Sequence, residues 1–260
     1  MLRPRIIPCL LIQDGGLVKT VRFKDPKYVG DPINAVKIFN EKEADELIVL
    51  DIDATANSKE PNYRQIAHLA AECRMPLCYG GGIRTAEQAK AIISLGVEKV
   101  AISAAAMEDP HLVTRIAQEI GRQSVVVVLD YKKRVLSKSH DVWTHNGSRN
   151  TKRNILEVAL EMERLGAGEI VINAIDHDGR MEGYDLALAT RLRETVAIPI
   201  TVLGGCGSLE HMRDVVAACG VVGVAAGSFF VFKGPYKAVL ISYPQDQQKY
   251  DVVYSALRSN

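Results

Sequence analysis

The chain has 260 residues, with 32 Lys and Arg against 31 Asp and Glu, for a net charge of +1. That balance argues against broad electrostatic binding to nucleic acid or to an anionic membrane surface, and no run approaches the ~20 apolar residues that span a bilayer. Residues 1–8 do not read as a signal peptide, and five scattered cysteines (Cys9, Cys73, Cys78, Cys206, Cys219) show no zinc-ligand spacing, so a cytoplasmic protein with reduced packing cysteines, no cofactor and no metal is expected.

Apolar runs of strand length alternate with helical patterns. The first strand is predicted at 6–12. A polar loop follows at 13–30, carrying Asp14-Gly15-Gly16, Lys19 and Arg22; its length favours a functional loop over a plain connector. Asp31-Pro32 caps and starts a helix. The second strand, 46–52, has Asp51 and Asp53 at its exit, and a helix is predicted at 61–73. The third strand starts at Pro76 and stops at Gly80-Gly81-Gly82, after which Thr85 and Gln88 have capping-box spacing. A fourth strand at 97–103 precedes a helix opened by Asp109-Pro110. The fifth, 124–130, has four valines in a row, which fits burial on both faces. Residues 131–150 read as an insertion bearing a hairpin with an Asn146-Gly147 turn. Then come a helix at 151–165, a strand at 169–174, a helix at 185–196, a strand at 199–203, a helix at 208–218 and a strand at 221–226. The tail from about residue 233 is weakly helical by pattern.

Eight strands, each followed by a helix or a stand-in, predict an α/β fold, a single (β/α)8 TIM barrel over residues 1–260. A doubly wound sheet would need a Gly-x-Gly-x-x-Gly turn after the first strand, and none is present. Residues 76–104 and 199–228 repeat strand, glycine turn, capped helix and small-residue strand exit in the same order, so a half-barrel repeat is expected.

Active sites of this fold lie at the C-terminal strand ends. Gly81 and Gly82 with Ser103 and Ala104, and Gly204 and Gly205 with Gly227 and Ser228, form two matched turns there. Glycines let the backbone approach a ligand, and the amides that follow favour an anion, so a ligand with a phosphate at each end would bridge them. The plainer alternative is that the glycines only permit tight turns. Asp130 ends an apolar strand, where a carboxylate works or is paired; its half-barrel counterpart is Leu11. Asp176, within Asp176-His177-Asp178-Gly179, is a weaker acid candidate, and a strand-end turn is preferred there over a metal cluster. His145 and Trp143 lie on the insertion. Arg5, Glu46, Lys99 and Glu169 start four of the predicted strands, two charges of each sign. Such a ring either stabilises the N-terminal mouth or gates the interior.

The pieces Arg5-Ile6-Ile7-Pro8-Cys9-Leu10, Asp14-Gly15 with Val18-Lys19, Gly30-Asp31-Pro32, Ala44-Asp45-Glu46-Leu47, Gly80-Gly81-Gly82-Ile83-Arg84 and Asp178-Gly179 with Gly183-Tyr184-Asp185 resemble the cyclase subunit of imidazole glycerol phosphate synthase, nearly to Ser228. The resemblance implies a barrel that takes ammonia from a glutaminase on its N-terminal face and passes it to a phosphorylated small molecule on the other. It makes Arg5, Glu46, Lys99 and Glu169 the ammonia gate, Lys19 a substrate-loop lysine and the two glycine turns phosphate sites. Of the family's two acids, one matches Asp130 and the other falls on Leu11. Ser103 stands where the family carries Asn, and the tail after Lys233 departs. That pattern is similar to a branch encoded with surface-polysaccharide genes, in which a third enzyme uses the ammonia to amidate a sugar from an acetamido to an acetamidino form. The alternatives are a true lyase forming imidazole glycerol phosphate and AICAR in histidine biosynthesis, and a sugar-phosphate isomerase barrel that needs no partner.

Overall fold

The computed structural model describes residues 3–134 and 139–258. The chain opens with β1 (Arg5–Gln13), which runs into the antiparallel pair β2 (Gly16–Val21) and β3 (Lys24–Gly30). Then come α1 (Pro32–Glu41), β4 (Leu47–Asp51), the short α2 (Ile52–Ala56), α3 (Tyr63–Glu72) and β5 (Leu77–Gly80). α4 (Ala86–Ser94) leads to β6 (Lys99–Ile102), the short α5 (Ala104–Glu108) and α6 (His111–Ile120). β7 (Val125–Lys133) again runs into an antiparallel pair, β8 (His140–Thr144) and β9 (Arg149–Asn154). α7 (Ile155–Leu165), β10 (Glu169–Ala174), α8 (Leu186–Thr195), β11 (Ile200–Leu203), α9 (Leu209–Cys219), β12 (Gly223–Ala226) and α10 (Ser228–Val231) complete the cycle. The tail adds β13 (Phe232–Lys233), β14 (Ala238–Val239), α11 (Asp246–Gln248) and helical turns at Lys249–Val253 and Tyr254–Arg258.

Strands β1, β4, β5, β6, β7, β10, β11 and β12 pair in parallel in that order, and β12 closes on β1 with Arg5 opposite Gly223. This is the expected (β/α)8 barrel. It has two apolar regions. One lies between the strands and the helices. The other fills the barrel interior and includes Ile7, Cys9, Ile48, Cys78, Val126 and Val171. Alternate residues of one strand face opposite ways, so Arg5, Ile7, Cys9 and Leu11 of β1 run up the inside.

Three boundaries differ from expectation. Residues 13–30 are not a loop but an extension of the sheet, with Leu11 opposite Val18. The β2–β3 turn places Arg22 and Phe23 at φ 54° and 61°. Hairpin turns need that left-handed backbone, but glycine or asparagine normally signals it. The predicted helix at 151–165 starts later, because residues 149–154 pair with β8 and Asn154 caps α7 by accepting from Leu156 N. The tail opens with a two-strand hairpin before its helical turns. The expected turn at Asn146-Gly147 is present, with φ 53° and 72°. Residues 135–138 of the predicted insertion lie outside the described residues.

The half-barrel repeat reaches further than the glycine turns. β1 and β7 are both nine residues long and both continue into an antiparallel hairpin. Leu11 lies opposite Val18 at the start of one hairpin, and Asp130 lies opposite Trp143 at the start of the other. β6 and β12 are each followed by a short helix, α5 and α10.

The tail docks against the N-terminal end of the barrel through Asp45. That carboxylate accepts from Ile6 N, Lys249 Nζ and Tyr254 OH at 2.9, 3.2 and 2.9 Å. Tyr243 OH donates to Ile6 O at 2.8 Å and accepts from Asp45 N at 3.0 Å. Among the described residues, no helix is long and apolar enough to cross a membrane.

Candidate functional site

The glycine turns, the strand-end acid and the hairpin lysine converge on one cavity at the C-terminal ends of the barrel strands. Leu11, Lys19, Asp130, Gly81, Gly82, Ser103 and Ala104 line it, together with Gly204, Gly205, Gly227 and Ser228. Gly82 and Gly205 show why these positions lack a side chain. Gly82 has φ +73°, and an added Cβ would stand 2.8 Å from Lys59 O. Gly205 has φ +106°, and its Cβ would fall 2.0 Å from Gly183 O. Both turns combine a left-handed backbone with a close approach of another chain segment, so only glycine fits. After the first turn, Thr85 and Gln88 form the expected capping box: Gln88 N donates to Thr85 Oγ1 at 3.2 Å, and Thr85 N donates to Gln88 Oε1 at 3.3 Å. After the second, Ser208 accepts from His211 N at 3.4 Å. The two turns therefore present similar backbone surfaces at related positions around the mouth.

Asp130 ends the barrel portion of β7 and accepts from Asn173 Nδ2 at 2.9 Å. Burial pushes its carboxyl up from 3.8 to about 7, against the Asn173 hydrogen bond and with a smaller push from nearby Asp178. A carboxyl that titrates near neutrality can give and take a proton. At the related position on β1, Leu11 offers only hydrocarbon to the same cavity.

Lys19 points inward from β2 and is 5 % exposed. Its Nζ donates to Cys9 O at 2.7 Å. Burial lowers its pKa below the ordinary lysine value, with Cys9 and Asp178 pulling the other way. The hairpin that carries it is fixed by Asp178, whose Oδ2 accepts from Thr20 Oγ1 at 2.7 Å and Phe23 N at 3.1 Å.

Asp176 does not share this site. It is absent from the cavity wall, and its carboxylate faces Lys133 N at 3.4 Å. Asp178, two residues on, lines the cavity instead. The turn after β10 reverses direction between them: Asp178 N donates to Ala174 O at 2.9 Å. In the sequence, the two acids of Asp176-His177-Asp178 carry no mark that tells them apart. His177 Nδ1 faces Gly183 O at 3.0 Å, and among the described residues no group of three or more His, Cys, Asp or Glu is placed to hold a metal. His145 reaches the cavity; Trp143 instead packs under Lys132, whose Nζ lies 3.9 Å from the ring centroid. Asp51 lines the mouth as well, but its Oδ1 accepts from Asp53 N and Ala54 N at 3.0 Å, capping α2.

At the opposite end, the four strand-start charges close into a cycle. Arg5 Nη1 bonds Glu46 Oε2, and Arg5 Nη2 lies 2.7 Å from Glu169 Oε1. Lys99 Nζ lies 2.7 Å from Glu46 Oε1 and 2.9 Å from Glu169 Oε2. Each carboxylate thus holds both cations. Burial alone would raise Glu169, but Arg5 and Lys99 outweigh it and hold its carboxyl well below the usual range. For Lys99, burial acts to lower the ammonium, and Glu169 with Glu46 raises it above the ordinary value. A fifth member carries no signature in the sequence: Thr201, fully buried on β11, donates from Oγ1 to Glu169 Oε1 at 2.5 Å. Between cycle and cavity the interior is apolar and in places small, with Cys9, Cys78, Ala101 and Ala225 among its residues. An apolar lining of this kind strips a cation of its hydration, a cost that a neutral molecule does not bear.

The family model described as histidine biosynthesis protein matches residues 5–236. A protein of Leptospira borgpetersenii, provisionally named imidazole glycerol phosphate synthase subunit HisF, is 55% identical over 249 residues, covering 96% of this chain and 98% of its own. A Vibrio vulnificus protein provisionally named subunit hisF3 is 54% identical over 249 residues, covering 96% of both chains. A Pseudomonas aeruginosa protein provisionally named subunit hisF2 is 54% identical over 252 residues, covering 97% of this chain and 100% of its own.

Proposed function

The chain belongs to the histidine biosynthesis protein family and, within it, to the HisF-like cyclase subunits of imidazole glycerol phosphate synthase; from that premise we propose that it serves as an ammonia-conducting partner of a glutaminase rather than as a cyclase. The ammonia would go to a third enzyme that amidates a nucleotide-linked sugar, acetamido to acetamidino, in lipopolysaccharide O-antigen biosynthesis. The observation that carries this reading is Leu11. It occupies the cavity wall at the half-barrel counterpart of Asp130, where the family's second acid is expected. Paired acid–base chemistry needs two groups that can exchange protons, and a leucine removes one of them.

The other parts have roles in the same scheme. Arg5, Glu46, Lys99 and Glu169 gate the N-terminal mouth, with Thr201 holding Glu169. The apolar interior favours ammonia over ammonium. The turns at Gly81-Gly82 and Gly204-Gly205, with Ser103, Ala104, Gly227 and Ser228, bind a phosphorylated ligand, and Lys19 reaches toward it. The tail beyond residue 233 packs by the Asp45 hub, beside Glu46 and therefore next to the face that receives the glutaminase.

A second reading keeps the barrel as a true cyclase forming imidazole glycerol phosphate and AICAR. The near-neutral Asp130 in a cavity with both glycine turns favours it. The two readings share the glutaminase partner, so the first test is the complex itself. Tagged protein should retain a glutaminase subunit of the same family of complexes through size-exclusion chromatography, and Glu46→Ala should weaken that retention or the transfer of ammonia. If no complex forms at micromolar concentrations of both chains, the gate has no source and the ammonia-conducting reading fails.

A further inference from the structure

The stretch after α10 sets a basic hairpin with exposed apolar side chains beside the mouth of the cavity. β13 and β14 pair with Phe232 opposite Val239 and Lys233 opposite Ala238, and Lys237 N donates to Gly234 O at 3.1 Å across the turn. The base of this hairpin meets the β2–β3 hairpin: Lys27 Nζ lies 5.8 Å from the centroid of the Phe232 ring. Lys27 is paired with Lys19, and Lys19 Nζ is the group that a Cβ on Gly227 would meet at 2.6 Å. The two hairpins therefore adjoin at the rim of the Gly227-Ser228 turn. The tip stands clear of the barrel. Tyr236 is 94 % exposed, and a Cβ on Gly234 would meet nothing within 4 Å. Leu240, just past β14, is 58 % exposed. Residues 22–27 and 232–240 carry Arg22, Lys24, Lys27, Lys233 and Lys237 against one acid, Asp25, in a chain whose net charge is only +1. All five cations are exposed, and none forms an ion pair among the described residues.

We infer that the β13–β14 hairpin and the neighbouring β3 form the docking surface for the enzyme that consumes the ammonia, and that this partner meets them with an acidic surface. The inference rests on the ammonia-conducting reading and says where the acceptor sits. Ammonia released into open water at neutral pH takes up a proton and loses the lone pair that attacks carbon. The acceptor's site has to close over the exit and exclude water. In that reading the exit is the mouth at the C-terminal strand ends, and the hairpin stands at its rim. The charge cycle lies at the other end of the barrel, so a glutaminase there leaves the hairpin free. Binding surfaces set aromatic and apolar anchors within a polar rim, and Tyr236 and Leu240 among lysines have that composition. Charge decides between occupants. A second copy of this chain would bring cation against cation, a mismatch that costs affinity, whereas an acidic partner is drawn in. β3 pairs only with β2 among the described residues, but Lys24, Pro26 and Lys27 guard its outer edge against an added strand. Side chains rather than backbone pairing therefore make the contact.

The test is surface plasmon resonance of the full chain, held in complex with a glutaminase subunit, against the purified enzyme that amidates the nucleotide-linked sugar. The expected result is saturable binding that weakens about tenfold between about 50 and 300 mM salt. Lys233→Glu combined with Lys237→Glu should weaken it about tenfold, and Tyr236→Ala by a similar factor. Both variants should retain the glutaminase as wild type does, which shows that the barrel is folded. Hydrogen exchange on the unmodified chain should show protection of residues 232–240 when the enzyme is added, independent of how any variant folds. Binding that is unchanged in both variants, or no protection of 232–240, overturns the inference and leaves the ammonia-conducting reading standing. Absence of binding by a chain that still holds the glutaminase also overturns it. Sedimentation of the chain alone identifies the rival occupant: a dimer that Tyr236→Ala dissociates would give this surface to a second copy and overturn the inference. Loss of the glutaminase complex itself is the separate failure, that of the ammonia-conducting reading.

Discussion

Replacing Asp130 with asparagine should change how stability depends on pH, and the sign is fixed by the structure. Burial raises this carboxyl from 3.8 to about 7. As pH rises past about 4, the unfolded chain releases the proton while the folded chain holds it until near pH 7. The folded state therefore carries no penalty below about pH 4, a growing one between 4 and 7, and a constant one above 7. Roughly three pH units at ~1.4 kcal/mol each give a ceiling of about 4 kcal/mol. Asp130 keeps partial exposure to the cavity, and solvent there screens the charge, so about 2 kcal/mol is expected. Asparagine has no proton to lose. The difference in unfolding free energy, variant minus wild type, should then grow by about 2 kcal/mol between pH 4.5 and 8.5. Urea denaturation at a series of pH values measures it, and pairing each variant point with wild type cancels the other titrating groups. A difference that is flat with pH would mean the carboxyl ionises at its ordinary value, and the assignment of Asp130 as a near-neutral acid would be wrong.

Leu11→Asp should restore measurable cyclase turnover if the missing acid is what stops the reaction; a steady-state assay with the bisphosphate substrate and ammonium reads it, and no gain would mean that other differences such as Ser103 also block it. Gly205→Ala forces a left-handed backbone and a contact with Gly183 O at 2.0 Å onto alanine, so it should destabilise the fold by ~1–3 kcal/mol and abolish phosphate protection in thermal shift assays. Glu169→Gln removes the anion shared by Arg5 and Lys99 and should cost ~3–5 kcal/mol in denaturant unfolding. Replacing all four members of the cycle with apolar residues of similar size should cost far less, and that quadruple variant isolates the gate's role in ammonia transfer from its role in folding.

The barrel was legible because its signals are local and repeated. Four successive valines, strand-length apolar runs and glycine turns followed by caps each report a neighbourhood of a few residues. The half-barrel echo then fixed how those pieces pair. The hairpin after β1 was not legible, because its turn uses Arg22 and Phe23 in a backbone conformation that neither residue advertises. Asp178 was passed over for Asp176, because which of two acids in a tight turn faces the cavity depends on the path of that turn. Thr201 was invisible for a different reason: a buried threonine in a strand is common, and only the closed charge cycle gives its hydroxyl a partner. Asp45 likewise collects groups nearly 200 to just over 200 residues away in sequence, Tyr243, Lys249 and Tyr254. By contrast, the Leu11 departure was visible at once, since it needed only the repeat and the position of Asp130.

The most direct measurement of the central claim is a steady-state cyclase assay on the purified chain, alone and with its glutaminase, using the bisphosphate substrate and saturating ammonium. Formation of imidazole glycerol phosphate should stay at the blank rate in both, while the glutaminase in the complex still hydrolyses glutamine. Turnover at the level of an ordinary cyclase would contradict the account and return the chain to histidine biosynthesis.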